Sequence, residues 1–459
     1  MSDDLDLHDL YLCFEGAVPA VIATASADGV PNITFLSRVR MVDPERVALS
    51  NQFFSKTARN LAENPRASVL VIDPCTFDQY RLSLAYERTE RRGPTFERLR
   101  DDVDSVAMAY GMQDVFSLRA ADIYRVVDIE QTVHRPPVSQ EALRYGPADP
   151  DPTTAIRLAD LVARLSRSGD LDTLVGITID GLAELLGYEH TMLLLLDEQR
   201  QRLYTIASHG YDDEGVGSEV AVGEGMVGIA AKRCTPQRIG NLFQVSKYAR
   251  AVGRAYAERG IGPGRDIPMP MLTDIQSRVA VPAMTTGHLV GVLVAESTDP
   301  VAFDPNDEAT LGVVAALVAG AVEGERARAA TASVPAPRTD RRSGTVAGSR
   351  TTRIRYFPVD GSVFIDGDYL IRGVAGRLLW SLLQQHQDEG RVDFTNREVR
   401  LDPSLELPEF KDNFESRLVL LKRRLDERRA PIGIDKTGRG RFRLAVETDL
   451  VIESVPVDD

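Results

Sequence analysis

The chain has 459 residues, 43% of them hydrophobic, with 54 Lys and Arg against 68 Asp and Glu, a net charge of −14. That length accommodates about three domains with full cores, and the acidic balance excludes a protein that coats nucleic acid through bulk charge, so any DNA contact must come from a local basic patch. Three isolated cysteines (Cys13, Cys75 and Cys234) show no metal spacing and fit a reducing cytoplasm, the acidic first residues are not those of a signal peptide, and the longest apolar runs are too short to span a bilayer.

Two composition shifts divide the chain. Arg135-Pro-Pro and the prolines through Pro152 make a stiff connector, and residues 326–352, poor in large apolar side chains, read as a flexible linker. The predicted units are 1–140, 153–327 and 353–459, with the linker proper at 328–352.

In the first unit, strands are predicted over 18–25, 32–42, 46–50, 67–72, 79–88 and 122–131, with a hairpin at Asp28-Gly29. Helices are predicted over 55–63 and 94–108. Many strands with few helices predict a small antiparallel barrel. The passage from strand into helix at Ser50-Asn-Gln-Phe-Phe-Ser-Lys-Thr57 is a candidate anion site. Free N–H groups at the helix start would meet a phosphate, helped by Lys56 and the hydroxyls of Ser55 and Thr57. The plainer reading is a serine cap beside a solvated lysine.

The middle unit opens with two amphipathic helices, 155–165 and 171–186, then a strand pair, 190–197 and 201–208. A Gly-rich turn at 222–225 leads into a short helix, strands follow at 278–282 and 289–297, and a helix spans 306–328. That helix has Asp304 as its cap and Pro305 in first position, and apolar residues over much of its surface. Its own sheet or a second chain could bury it. Residues 241–276 have the composition of a ligand-covering loop or of an ordinary surface loop, and Cys234 reads as a packing residue.

In the last unit, Phe414, Leu418, Leu421 and Leu425 recur at helical spacing and share one face. Asn413, Ser416, Arg417, Arg423 and Arg424 fall on the other side, where they could reach phosphates and base edges. Lys436, Arg439, Arg441 and Arg443 line a hairpin turned by Gly438 and Gly440. Charge alone decides little: over 353–443, Lys and Arg number 18 against 15 Asp and Glu.

Three resemblances follow from these residues. Leu49-Ser50, Ser55-Lys56, the run from Asn60 to Val69 and Gln79 make the first unit similar to the pyridoxamine 5′-phosphate oxidase-like split barrels, over about 10–132. The resemblance implies flavin mononucleotide (FMN) at a dimer interface, its phosphate at Ser55 and Lys56 and its ring system at Gln79. Ser55 stands where the family has arginine, and the family's upstream phosphate arginine aligns near Phe35, leaving Arg38 or Arg40 as substitutes. The true oxidase's substrate motif is absent. Heme, a deazaflavin or no cofactor stay open, with His134 a weak heme candidate.

Gly223-Glu-Gly-Met-Val-Gly228, Val279-Ala-Val-Pro282, the run from Gly291 to Glu296 and Phe303-Asp-Pro-Asn-Asp-Glu308 resemble a GAF domain, an α/β sandwich around a central antiparallel sheet that implies a small-molecule ligand. Leu421-Lys-Arg-Arg-Leu425 and Arg441-Phe-Arg-Leu444 resemble the winged-helix effector of response regulators, although Pro403 and Pro408 interrupt the helix expected before the recognition helix.

The fold class is therefore multidomain α+β: antiparallel split barrel, GAF sandwich, winged helix. The expected protein is a cytoplasmic, homodimeric, one-component transcriptional regulator that binds DNA and a small molecule and carries no catalytic residues. A flavin-dependent oxidoreductase with regulatory GAF and C-terminal interaction domains is the alternative. A scaffold whose sensor folds have lost their ligands is a third.

Overall fold

The structure is a computed structural model. It describes residues 5–14, 20–36, 38–51, 55–73, 76–109, 118–133, 152–212, 214–240, 269–270, 272, 274–299, 301–331, 351–405, 414–438 and 440–455. Among the described residues no helix is long and apolar enough to cross a membrane.

The first unit contains β1 (Ala20–Ala25), β2 (Pro31–Leu36), β3 (Val39–Asp43), β4 (Arg46–Asn51), α1 (Ser55–Glu63), β5 (Arg66–Ile72), β6 (Gln79–Glu90), α2 (Pro94–Ala109) and β7 (Ala120–Val133). The strands form one antiparallel sheet in the order β2-β1-β5-β6-β7-β4-β3. One apolar cluster draws on all seven strands, including Ile22, Leu36, Val39, Leu49, Val69, Leu82 and Tyr124, so the sheet wraps around a single interior. The outer face of β4 and β7 is covered by α2 through Leu99 and Val103, which meet Ala48, Ala121 and Ile123. The stretch 32–42, expected as one strand, is two, β2 at the sheet's far edge and β3 on β4.

The middle unit contains α3 (Thr154–Ser166), α4 (Leu171–Leu186), β8 (His190–Asp197), β9 (Arg202–His209), β10 (Glu219–Ala221), α5 (Gly225–Arg233), β11 (Gln237–Ile239), β12 (Ser277–Thr285), β13 (His288–Ser297) and α6 (Pro305–Thr331). Its antiparallel sheet has the order β10-β9-β8-β13-β12-β11. Asp304 caps α6 as the sequence predicts, accepting from the Asn306 and Asp307 amides. Leu311, Val314, Val318 and Val322 bury that helix against its own unit, and it runs on to Thr331, into the expected linker. Cys234 is exposed at the end of α5, contrary to the packing role expected of it.

The last unit contains β14 (Thr351–Phe357), β15 (Ser362–Ile365), β16 (Asp368–Ile371), α7 (Gly373–Glu389), β17 (Asp393–Thr395), α8 (Asn396–Arg400), α9 (Phe414–Glu427), β18 (Ile432–Gly438), β19 (Arg441–Val446) and β20 (Asp449–Ser454). α8 lasts five residues and gives way to a 3-10 turn at Pro403–Leu405, the interruption that Pro403 predicts. The basic hairpin is β18–β19, joined by β17 into a three-stranded sheet and pinned by Phe394 stacked on the fully buried Phe442. β20 returns to lie parallel to β14, from Thr351 opposite Asp449 to Tyr356 opposite Ser454. Periodicity did not announce that strand.

Candidate functional site

Two places gather the side chains singled out by the sequence. The first is the start of α1. Lys56 is exposed there, in the turn whose N–H groups lack intrahelical acceptors. Asn60 donates to Thr24 at 3.2 Å, and Asn32 donates to the buried Thr57 hydroxyl at 3.0 Å, so both fasten α1 to the sheet. Thr57 is thus engaged within the fold, which the sequence did not foresee. The Ser50 hydroxyl accepts from the Arg38 amide at 3.0 Å, the Ser50 amide donates to the Arg38 carbonyl, and Leu49 points into the core. Gln79 opens β6, half-buried, between Ile72 and Val133.

The arginines proposed as phosphate substitutes lie elsewhere. Arg38 is buried with its Nε 3.5 Å from Asp102 of α2, and Arg40 donates to the same carboxylate at 2.8 Å. A carboxylate that neutralises two guanidiniums weakens their pull on a further anion. The Arg38 Nε has no hydrogen-bond partner, an unmet donor in a buried setting. The donor set fits one phosphate at the start of α1 with Lys56 as its cation, and it does not supply the family's two-residue clamp.

The second place is α9. Its predicted apolar stripe is buried as expected: Phe414, Leu418, Leu421 and Leu425 are at most 5% exposed. The opposite face, expected to be free, is covered by the middle unit. Arg417 pairs with Asp197 at 2.7 Å, and its guanidinium sits 4.5 Å from the centre of the Tyr204 ring. The Tyr204 hydroxyl donates to the Ser416 hydroxyl at 2.8 Å, both fully enclosed. Lys422 and Arg423 converge on the Asp172 carboxylate at 2.8 and 2.9 Å, and Arg423 also donates to its carbonyl. Lys436 bridges Asp170 and Glu415 at 2.9 and 2.8 Å.

These pairings correct the expectation that Ser416, Arg417, Arg423, Arg424 and Lys436 stand on a solvated face. Arg424 turns inward instead, donating to the Leu370 carbonyl and pairing with Glu427. The Glu427 carboxylate in turn accepts from the Gly215 amide of the middle unit. Arg441 is exposed on the hairpin, while Asn413 and Arg439 lie outside the described residues. Burial pushes Asp170 and Asp172 upward, but Lys436 and the Thr173 hydrogen bonds for the first, and Lys422 and Arg423 for the second, together outweigh it and hold both below the usual carboxylate value. Burial pushes Lys436 down, but Glu415 and Asp170 together outweigh it and hold the amine above its ordinary value.

The acids and the tyrosine of this junction escaped sequence reasoning. Asp170 could be recognised as the cap of α4, accepting from the amides of Asp172 and Thr173. Nothing in the sequence tied it to Lys436, 266 residues away.

The middle unit's sheet is covered on both faces. α3, α4 and α6 lie on one side; on the other, α5 packs over Met192, Leu194, Leu203, Val292 and Val294. That second face also holds the buried Glu296, paired with Arg278 across β12–β13, and Tyr211, whose hydroxyl is pushed up by burial and by Glu296. The candidate ligand loop falls mostly outside the described residues. Among those described, no cluster of His, Cys, Asp and Glu could hold a metal ion.

Comparison with known proteins assigns two of the three units. Residues 170–322 match the GAF domain family, and residues 11–126 match the pyridoxamine 5′-phosphate oxidase family. The chain therefore carries an oxidase-type barrel domain followed by a GAF domain. Among solved structures it is similar to the GAF domain of an Acinetobacter phosphoenolpyruvate-protein phosphotransferase (22% identity, 40% of this chain and 99% of that one, TM-score 0.31). It is also similar to an FMN-binding protein of Syntrophomonas wolfei (17% identity, 27% and 84%, TM-score 0.24). An uncharacterized protein of Methanocaldococcus jannaschii is 40% identical over 50 residues, 10% of this chain; the match spans only 34% of that relative's length.

Proposed function

We propose that this chain is a one-component sensory regulator in which the barrel and GAF domains read small molecules and the last unit, a winged helix, binds DNA. The observation that carries the reading is the sequence of elements in that unit. A short helix and a turn lead into α9, and a basic hairpin, β18–β19, follows it at once and is tied back through β17. This is the order in which a winged helix presents a recognition helix and its wing. Arg417, Arg423, Lys436 and Arg441 would meet phosphates or bases, with Ser416 beside them; Asn413 and Arg439, outside the described residues, are further candidates.

FMN is the cofactor that the barrel family and the start of α1 support. Lys56, with the backbone N–H groups at the start of α1, would hold its phosphate, and Gln79 its ring system; the flavin would supply redox or light-absorbing chemistry. Leu49 and Ser50 shape the strand below, while Arg38, held on Asp102, takes no part. A homodimer would bring two winged helices to a repeated site.

The visible absorption spectrum of the purified full-length protein tests the cofactor, with flavin bands expected. Titration with a random duplex pool tests the output: log K is expected to fall with log salt by about 0.9 for every phosphate contacted. A second reading, a flavin-dependent oxidoreductase with a C-terminal interaction module, draws support from the α9 cations already neutralised within the chain. Flavin reduction by NADH or NADPH with no duplex retained would favour it.

A further inference from the structure

We propose that the GAF domain holds the DNA-binding face of α9 in a masked state, so that the output is off until this contact opens; the inference rests on the winged-helix reading. The residues that would grip DNA are the ones already gripped. Arg417 lies on Asp197 and Tyr204, Lys422 and Arg423 share Asp172, Lys436 reaches Asp170, and Ser416 is sealed beneath the Tyr204 hydroxyl. A phosphate and an aspartate cannot occupy one guanidinium fork together. A duplex lying along α9 would also need the space that α4 and β9 fill.

The contact goes beyond charge. Residues of the GAF helices and sheet and residues of α7, α9 and β19 belong to one continuous apolar cluster, and Val419 and Leu420 are buried along with the predicted stripe. A regulator closed in this way binds DNA only through its open fraction, and its apparent affinity is reduced by that fraction.

The same contact offers a route for the signal. β9 places Leu203 on the sheet face packed under α5 and Tyr204 on the face against α9. A shift of α5 would thus reach the latch through a single strand.

The test compares full-length wild type with two variants. The double substitution Asp172→Asn with Asp197→Asn removes the acids. Gly176→Leu changes no charge; a side chain added there would meet the Arg423 guanidinium, 3.7 Å from the position of its first carbon, and wedge the junction. Amide hydrogen exchange over 414–427 reports the contact, and fluorescence anisotropy with a random duplex pool reports DNA binding. The expected result is faster exchange in both variants and apparent affinity raised about tenfold or more. Faster exchange with wild-type affinity for the same duplexes would overturn the masking and leave the DNA reading standing. Faster exchange with no duplex bound by any of the three proteins would overturn the DNA reading, and the masking with it. Unchanged exchange in both variants would show that these contacts do not hold α9, and would also overturn the proposal.

Discussion

The GAF domain meets its two neighbours by different physics. Toward the barrel it offers α5, where Arg233 pairs with Asp101 and Asp104 of α2 and Thr235 approaches Asp101 at 3.4 Å. The apolar clusters of the barrel remain separate from those of the GAF domain. Toward the last unit it shares one apolar core and surrounds it with ion pairs. A polar contact without a common core tolerates rearrangement more readily than a shared apolar interior. A shared core makes two units melt as one, with the ion pairs selecting the geometry in which they meet.

Four substitutions and a pH titration sharpen or break this contrast. Tyr204→Ala has the largest expected effect. It removes a buried ring, the surface beneath Arg417 and the bond to Ser416, at a cost of about 3–5 kcal/mol. Chemical denaturation should then resolve separate transitions for the GAF domain and the last unit where wild type shows one. Asp172→Asn comes next. It leaves Lys422 and Arg423 without their shared anion, and about 1–2 kcal/mol should be lost from the same transition.

Acid should act in the same direction as that substitution. Asp172 faces Lys422, Arg423 and Asp426 of α9, and Glu214 and Glu427 line the cleft beside it. Asp170 and Asp172 titrate below their ordinary value of 3.8 when docked, so their contribution is complete above that value and disappears as the pH falls through the lowered ones. Lys436 is complete below its ordinary 10.5 and disappears as the pH rises through its raised value. Exchange over 414–427 should therefore be slowest, once corrected for the intrinsic rate, between these limits. A flat profile would show that the apolar core alone holds the junction.

Arg233→Ala should cost about 1–2 kcal/mol, the loss of its largely buried pairing with Asp101 and Asp104, because the opposite junction has no common core to lose. A larger loss of the cooperative transition would show that the two junctions are more alike than their packing suggests. Lys56→Ala should leave stability within about 0.5 kcal/mol of wild type, since the side chain is exposed. Fluorescence titration with FMN should show weaker binding if α1 holds the phosphate.

Local order was largely legible in the sequence. The spacing of Phe414, Leu418, Leu421 and Leu425 predicted both α9 and its buried stripe, and Pro403 predicted the short α8. Asp304 and Pro305 marked the start of α6. What stayed hidden was the second burial of α9. Its partners lie more than 200 residues away, and in a chain with 68 acidic residues no single aspartate stands out as theirs. The same holds for Asp102, which sits on a helix whose pattern says nothing of Arg38 and Arg40. The strands β10 and β11, three residues each, are too short for alternation to reveal.

The parallel pairing of β20 with β14 has a practical consequence. Without β20, the backbone N–H and C=O groups of β14 along that side would lie bare, and a bare edge invites strands from other molecules. Shortened versions of this protein that stop before Asp449 should therefore clump during expression even if every helix of the last unit forms. An expression boundary placed after Ser454 keeps that edge closed.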